Sequence, residues 1–104
     1  MAFRLEDLAA IIAARSAADA EKSYTKTLLD RGVAHCGKKF GEEAVEFAMA
    51  TAQGERAPMT AEAADVLYHL LVALQAGGIS LQDVLDELGH RTGMSGHEEK
   101  AARG

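Results

Sequence analysis

The sequence has few of the residues that build strands, disulfides and stacking surfaces. It contains one cysteine, one proline and no tryptophan among 104 residues. The single cysteine, Cys36, has no internal disulfide partner, which is typical of proteins from a reducing compartment. A near absence of alternating β-branched residues also disfavours β-strands. The sequence therefore predicts an all-α protein.

Long apolar runs and an excess of positive charge are also missing. No run approaches the roughly 18 apolar residues that span a membrane. The N-terminal residues reach Glu6 and Asp7 at once, unlike a secretory signal. A net charge of −5 and an aromatic share of 5% argue against general nucleic-acid binding. We expect a cytoplasmic protein that binds neither nucleic acid nor membrane.

What is present is typical of one helical domain. Hydrophobic residues make up 48% of the chain, and its length allows a single core. Apolar residues at helical spacing predict a bundle of four or five helices over residues 3–15, 25–31, 33–53, 60–75 and 80–90, with a last turn or two over 95–103. The stripe that the helix over 80–90 is expected to bury consists of Val84, Leu85 and Leu88.

Local signals refine these helices. Thr60 is expected to cap the fourth helix after a loop over 54–59. Ser80, with Asp83 three residues later, resembles a capping box. Gly37 and Gly41 each cost about 1 kcal/mol relative to alanine inside a helix, so we expect close packing or an approaching ligand to offset them.

Two pairs of acidic residues carry the most informative pattern. Glu43 and Glu46 are three residues apart on one predicted helix, and Glu62 and Asp65 have the same spacing on the next, so each pair shares a helix face. Antiparallel packing would bring the four carboxylates together across a groove. Clustered anions repel each other unless a cation compensates them, and Mg²⁺ prefers oxygen ligands. The pattern favours a magnesium site between two helices.

The same acidic pattern admits other interpretations. Acids at this spacing are equally typical of solvated helix surfaces, in which Glu42 and Glu43 pair with the lysines four residues before them. A di-iron site would require Glu-x-x-His, but Val66 stands three residues before His69. Zinc is disfavoured because the histidines and the cysteine show no paired ligand spacing. We expect His69 to pack or to support a ligand rather than to bind a metal itself.

Four blocks of sequence, taken together, resemble a known enzyme family. They are Ser23-Tyr24-Thr25, residues 39–46 (KFGEEAVE), residues 62–71 (EAADVLYHLL) and residues 91–103 (RTGMSGHEEKAAR). Their combination closely resembles the phosphoribosyl-ATP pyrophosphohydrolases of histidine biosynthesis. The middle two blocks are shared with the wider MazG-like all-α nucleotide pyrophosphohydrolases, and the first and last distinguish the histidine-pathway members.

The resemblance implies a MazG-like fold completed by dimerisation, as a homodimer or a dimer of dimers. It also implies Mg²⁺-dependent hydrolysis of the α–β phosphate bond of phosphoribosyl-ATP to phosphoribosyl-AMP and pyrophosphate. The implied metal ligands are Glu43, Glu46, Glu62 and Asp65, and the implied catalytic acids are Glu42, Glu43 and Glu46, with Glu42 as a supporting residue or as the base. Residues 1–104 leave no room for the cyclohydrolase that is fused to many members, so we expect one stand-alone domain.

The non-reacting phosphate of such a substrate needs cationic donors. Lys39, one turn from Glu43, is the best candidate on a helix. The basic segment 91–104 is expected to bind phosphate or to become ordered around the substrate. The alternative is a frayed tail. The candidate substrate-binding residues in this segment are Arg91, Ser95, Lys100 and Arg103. Ser23, Tyr24 and Thr25 are expected to cap a helix or to contact the substrate, with core packing an equal possibility for Tyr24.

Two other functions fit parts of this pattern. The first is a house-cleaning MazG-like enzyme acting on ordinary or damaged nucleoside triphosphates. The second is a non-catalytic helical interaction module whose acids are only solvated. The segment over 91–103 distinguishes phosphoribosyl-ATP pyrophosphohydrolases from the first, and the second would bind Mg²⁺ weakly and change little on mutation of its acids.

Overall fold

A computed structural model describes residues 2–17 and 23–93 of the chain, and these contain five helices and no strand. The helices are α1 (Leu5–Ala17), α2 (Tyr24–Asp30), α3 (Val33–Gln53), α4 (Arg56–Ala76) and α5 (Leu81–Thr92). The all-α prediction is confirmed. The last turn or two expected over 95–103 lies outside the described residues.

Helices α3 and α4 form the hairpin that carries the acidic residues. Each is 21 residues long, and only Gly54 and Glu55 separate them. Gly54 adopts φ 76°, a left-handed conformation that glycine tolerates, and its N–H donates to the carbonyls of Ala50 and Thr51. So short a connection makes the two helices antiparallel neighbours. The predicted bounds of α3 are those observed.

The predicted start of α4 was wrong. The helix begins at Arg56 rather than at Thr60, so the expected loop over 54–59 shrinks to two residues. Pro58 fits in the first turn because the N–H groups there need no intrahelical partner. Thr60 does not cap the helix, and its hydroxyl donates instead to the carbonyl of Arg56 at 2.8 Å.

Helix α5 has the predicted cap but not the predicted buried stripe. The Ser80 hydroxyl accepts from the Asp83 N–H at 3.0 Å, and the Asp83 carboxylate accepts from the Ser80 N–H at 3.3 Å. Yet no residue of α5 is buried, and Leu88 is 49% exposed. The reason is that α5 turns by 110° from α4, which leaves it little of the bundle to pack against.

The core lies where α1 and α2 pack on α4 and on the beginning of α3. Its buried members are Ile12, Leu28, Cys36, Leu71 and Val72. The Cys36 thiol donates to the carbonyl of Leu28 at 3.2 Å, which ties α3 to α2. Within the described ranges no single helix is long and apolar enough to cross a membrane, although the bent pair α4 and α5 would reach that length and composition together.

Neither glycine inside α3 packs closely against the described part of the chain. A Cβ added at Gly37 or Gly41 would meet no atom within 4 Å. Gly37→Ala is therefore expected to raise the free energy of unfolding by about 0.5–1 kcal/mol, because alanine loses less backbone entropy in a helix. Urea denaturation measures this.

The control is Gly78→Ala, which is expected to destabilise because Gly78 adopts φ 73°. A Gly37→Ala protein no more stable than the wild type would contradict the open surroundings of Gly37.

Candidate active site

Three carboxylates converge between α3 and α4. Glu43, Glu62 and Asp65 each offer an oxygen, and these oxygens lie within 4.8 Å of one another. The antiparallel hairpin sets this register, since Glu43 comes from α3 and the other two come from α4. All three ligand atoms are carboxylate oxygens, which suit a hard divalent cation rather than zinc or copper.

Glu46 lies at the edge of this cluster. It follows Glu43 by one turn of α3 and is exposed, and it is not one of the three residues whose oxygens converge. It remains close enough to Glu43 to hydrogen-bond with it and to raise its pKa. The structure thus brings together three of the four predicted ligands and places the fourth beside them.

Crowding makes the cluster unfavourable to ionise. A hydrogen bond with Glu46, then burial, then the charges of Glu46, Asp65 and Glu62 raise the pKa of Glu43 to about 7. Burial and the charges of Glu46 and Asp65 also raise the pKa of Glu62. The Oε2 atom of Glu62 is buried without a hydrogen-bond partner among the described residues. A divalent cation would satisfy this oxygen and offset the repulsion, so the residues fit one.

Lys39 and Glu42 form an ion pair at the rim of the site. The Lys39 Nζ lies 3.0 Å from the Glu42 Oε2. This hydrogen bond lowers the pKa of Glu42, which is therefore ionised at neutral pH, and raises that of Lys39. Both residues line an open groove of about 490 Å³ together with Glu43, Val45 and Glu46. The lysine that pairs with Glu42 is the one three residues before it, not the one four before it as the solvated-surface interpretation expected.

His69 lies beside Glu43, at the end of the cluster nearer to Lys39. It is 5% exposed, and its Nε2 lies 4.0 Å from the Glu43 Oε1. Burial, followed by the charge of Lys39, lowers the pKa of His69 and keeps the imidazole neutral at physiological pH. The packed position agrees with the sequence expectation for His69. The sequence did not predict a role for Tyr68 at the site. Its position next to His69, in the same turn of α4, was the signal that could have indicated one.

The sequence has relatives among known enzymes. Residues 5–92 match the family described as phosphoribosyl-ATP pyrophosphohydrolase. The chain belongs to this family. The phosphoribosyl-ATP pyrophosphatase 1 of Bradyrhizobium diazoefficiens is 57% identical over 101 residues, covering 97% of the chain and 95% of the relative. That of Rhodopseudomonas palustris is 54% identical over 101 residues, 97% and 94% of the two chains. The phosphoribosyl-ATP pyrophosphatase of Ruegeria pomeroyi is 54% identical over 99 residues, 95% and 94% of the two.

In this member of the pyrophosphohydrolase family, the block Ser23-Tyr24-Thr25 divides into three roles. The Ser23 hydroxyl caps α2 by accepting from the Lys26 N–H at 3.3 Å. Thr25 is fully buried, and its hydroxyl shares a 2.5 Å hydrogen bond with that of Tyr68. Tyr24 is 55% exposed and near enough to Lys39 to affect its pKa. Of the three, Tyr24 has the surface that a substrate could contact.

The basic segment of this pyrophosphohydrolase is described only at its beginning. Arg91 lies in the last turn of α5, is exposed, and donates from Nε to Glu87 at 2.9 Å. The other substrate-binding candidates there, Ser95, Lys100 and Arg103, lie outside the described residues.

Proposed function

We propose that the chain hydrolyses the α–β phosphoanhydride of phosphoribosyl-ATP to phosphoribosyl-AMP and pyrophosphate, the second step of histidine biosynthesis. The family match over residues 5–92 carries this proposal. Relatives named phosphoribosyl-ATP pyrophosphatase align with nearly the whole chain. The three converging carboxylates supply the chemistry that such a reaction needs.

The cofactor we propose is Mg²⁺, held by Glu43, Glu62 and Asp65, with Glu46 at the edge of the same site. The support is the all-oxygen donor set and the unpartnered buried oxygen of Glu62. When bound, Mg²⁺ neutralises phosphate charge and makes water a better nucleophile. Without a cation the acids would repel a triphosphate, so the chain's own residues bind this substrate only together with the ion.

Glu42 and Lys39, at the rim of the site, are suited to accept a proton from water and to bind a phosphate oxygen. Glu42 is ionised and exposed, so it can accept a proton from the attacking water as the bond to the leaving pyrophosphate breaks. Lys39 can turn from Glu42 to a phosphate oxygen, because both are anionic acceptors for its ammonium. Tyr24 and Arg91 are the exposed described candidates for further substrate contacts, with Ser95, Lys100 and Arg103 proposed from the sequence.

We also propose that the chain works as a homodimer or a dimer of dimers in the cytoplasm. The exposed apolar side chains Val45 and Met49, each 60% exposed on α3, favour a partner surface. The free, buried Cys36 suits a reducing compartment.

The decisive experiment is pyrophosphate release by the purified chain from phosphoribosyl-ATP, ATP and dCTP, with and without EDTA. We expect phosphoribosyl-ATP to turn over fastest, EDTA to abolish turnover, and excess Mg²⁺ to restore it. Faster turnover of a plain triphosphate would contradict the proposal in favour of a house-cleaning enzyme. No turnover of any of the three would favour a non-catalytic module.

A further inference from the structure

The ring of His69 contacts the rings of two tyrosines at the end of the acidic cluster. Its ring meets the ring of Tyr68 edge-on, with centroids 5.0 Å apart, and that of Tyr24 edge-on at 6.3 Å. Such edge-to-face contacts are favourable and directional. Tyr68 is itself tied by its hydroxyl to the buried Thr25. Residues from α2 and α4 therefore fix the orientation of the imidazole.

Neither ring nitrogen of His69 has a hydrogen bond within the described ranges. Nδ1 is buried without a partner, and Nε2 lies 4.0 Å from the Glu43 Oε1, about 1 Å beyond a good hydrogen bond. A buried imidazole is normally hydrogen-bonded. An uncharged imidazole carries one N–H, and the Glu43 Oε1 is an acceptor within 4.0 Å of Nε2. A shift of the Glu43 carboxylate by about 1 Å would complete the bond.

We propose that His69 is a positioning residue, which donates its Nε2–H to Glu43 and so holds one Glu43 oxygen while the other faces the cation. This inference rests on the metal site proposed above. Carboxylate ligands are commonly oriented by such an outer hydrogen bond, and loss of the bond weakens metal binding by about 10- to 100-fold. The ring contacts with Tyr24 and Tyr68 make the histidine suited to this role, because turning away from Glu43 would break them.

The test uses two substitutions of His69 by amide side chains that differ in length. In His69→Gln the side-chain nitrogen can occupy the place of Nε2, whereas in His69→Asn it falls short. Electron paramagnetic resonance follows the binding of Mn²⁺ alone to the substrate-free full chain. We expect His69→Gln to bind within about threefold of the wild type and His69→Asn to bind about 10- to 100-fold more weakly. A purely structural role would alter thermal stability in both amides without separating their Mn²⁺ affinities.

His69→Leu, which buries no polar group, is a second variant without a donor and keeps the test intact if the asparagine variant does not fold. It is expected to show the same loss of Mn²⁺ affinity. Wild-type affinity in His69→Asn or His69→Leu would overturn the positioning role, as would equally weak binding in both amides. A wild-type chain that binds no Mn²⁺ would instead overturn the metal site itself, so the two failures are distinguishable.

Discussion

Replacement of Glu43 by glutamine is expected to lower kcat/KM for phosphoribosyl-ATP by on the order of 10³-fold or more. Glu43 is the α3 member of the three converging carboxylates, and it also contacts Glu46 and His69. Glutamine keeps the shape of the side chain but removes the charge that attracts a cation. Steady-state pyrophosphate release at saturating Mg²⁺ measures the loss.

The same substitution is not expected to destabilise the metal-free fold near neutral pH. It removes an anion that is crowded by Glu62 and Asp65, so the free energy of unfolding should stay constant or rise. The matched control is Glu55→Gln, at the exposed connection between α3 and α4, which should leave turnover unchanged. Near wild-type activity in Glu43→Gln would contradict the proposed metal site.

The sequence predicts the bounds of a helix best where a glycine with positive φ stands at each end. Helix α3 is bounded by Gly32 and Gly54, whose φ values of 98° and 76° are left-handed and interrupt a helix wherever they occur. The start of α4 is harder to predict, because a proline such as Pro58 is typical of loops as well as of first helical turns. Proline is compatible with a first helical turn, so its position relative to the cap decides its effect, and sequence alone left that position open.

Burial was harder to predict than helicity. The capping box of Ser80 and Asp83 is a contact within four residues, so sequence determines it. The burial of Leu88 depends instead on which surface α5 meets, and the 110° turn after α4 directs the helix away from the bundle. Helical periodicity identifies an apolar face but does not identify what covers it.

The acidic site can be predicted from helix geometry, whereas the substrate-contacting residues cannot. Residues three apart share a helix face, and this spacing alone predicts that Glu62 and Asp65 lie together. Tyr24 and Thr25 are consecutive helical residues whose side chains point about 100° apart, and Ser23 precedes the helix, so the three side chains lie in different surroundings. The first caps α2, the second is exposed and the third is buried.

Stability should depend on pH and on metal through the same cluster. Crowding raises the pKa of Glu43 from 4.5 to about 7, so between these values the folded chain binds more protons than the unfolded chain. The Glu43 carboxyl therefore contributes to the free energy of unfolding of metal-free protein an amount that is lost as pH rises through this window. Glu62 acts in the same direction, because its pKa is also raised, whereas His69 acts in the opposite direction, because burial lowers its pKa. The contribution of Glu43 is therefore the difference between the wild type and Glu43→Gln.

Magnesium should reverse this loss, because it binds the ionised cluster of the folded chain and competes with protons for it. At about 100 times its dissociation constant a ligand adds about 2.7 kcal/mol, which for a chain of this size shifts Tm by roughly 10 °C. Calorimetry at about pH 5 and about pH 7.5, with and without Mg²⁺, should show a large shift only at the higher pH. Glu43→Gln should lose most of that shift. If the Tm of metal-free Glu43→Gln changed with pH in the same way as that of the metal-free wild type, the crowding of the carboxylates would be contradicted. Because the measurement needs no substrate, it tests the metal site separately from the reaction that the site performs.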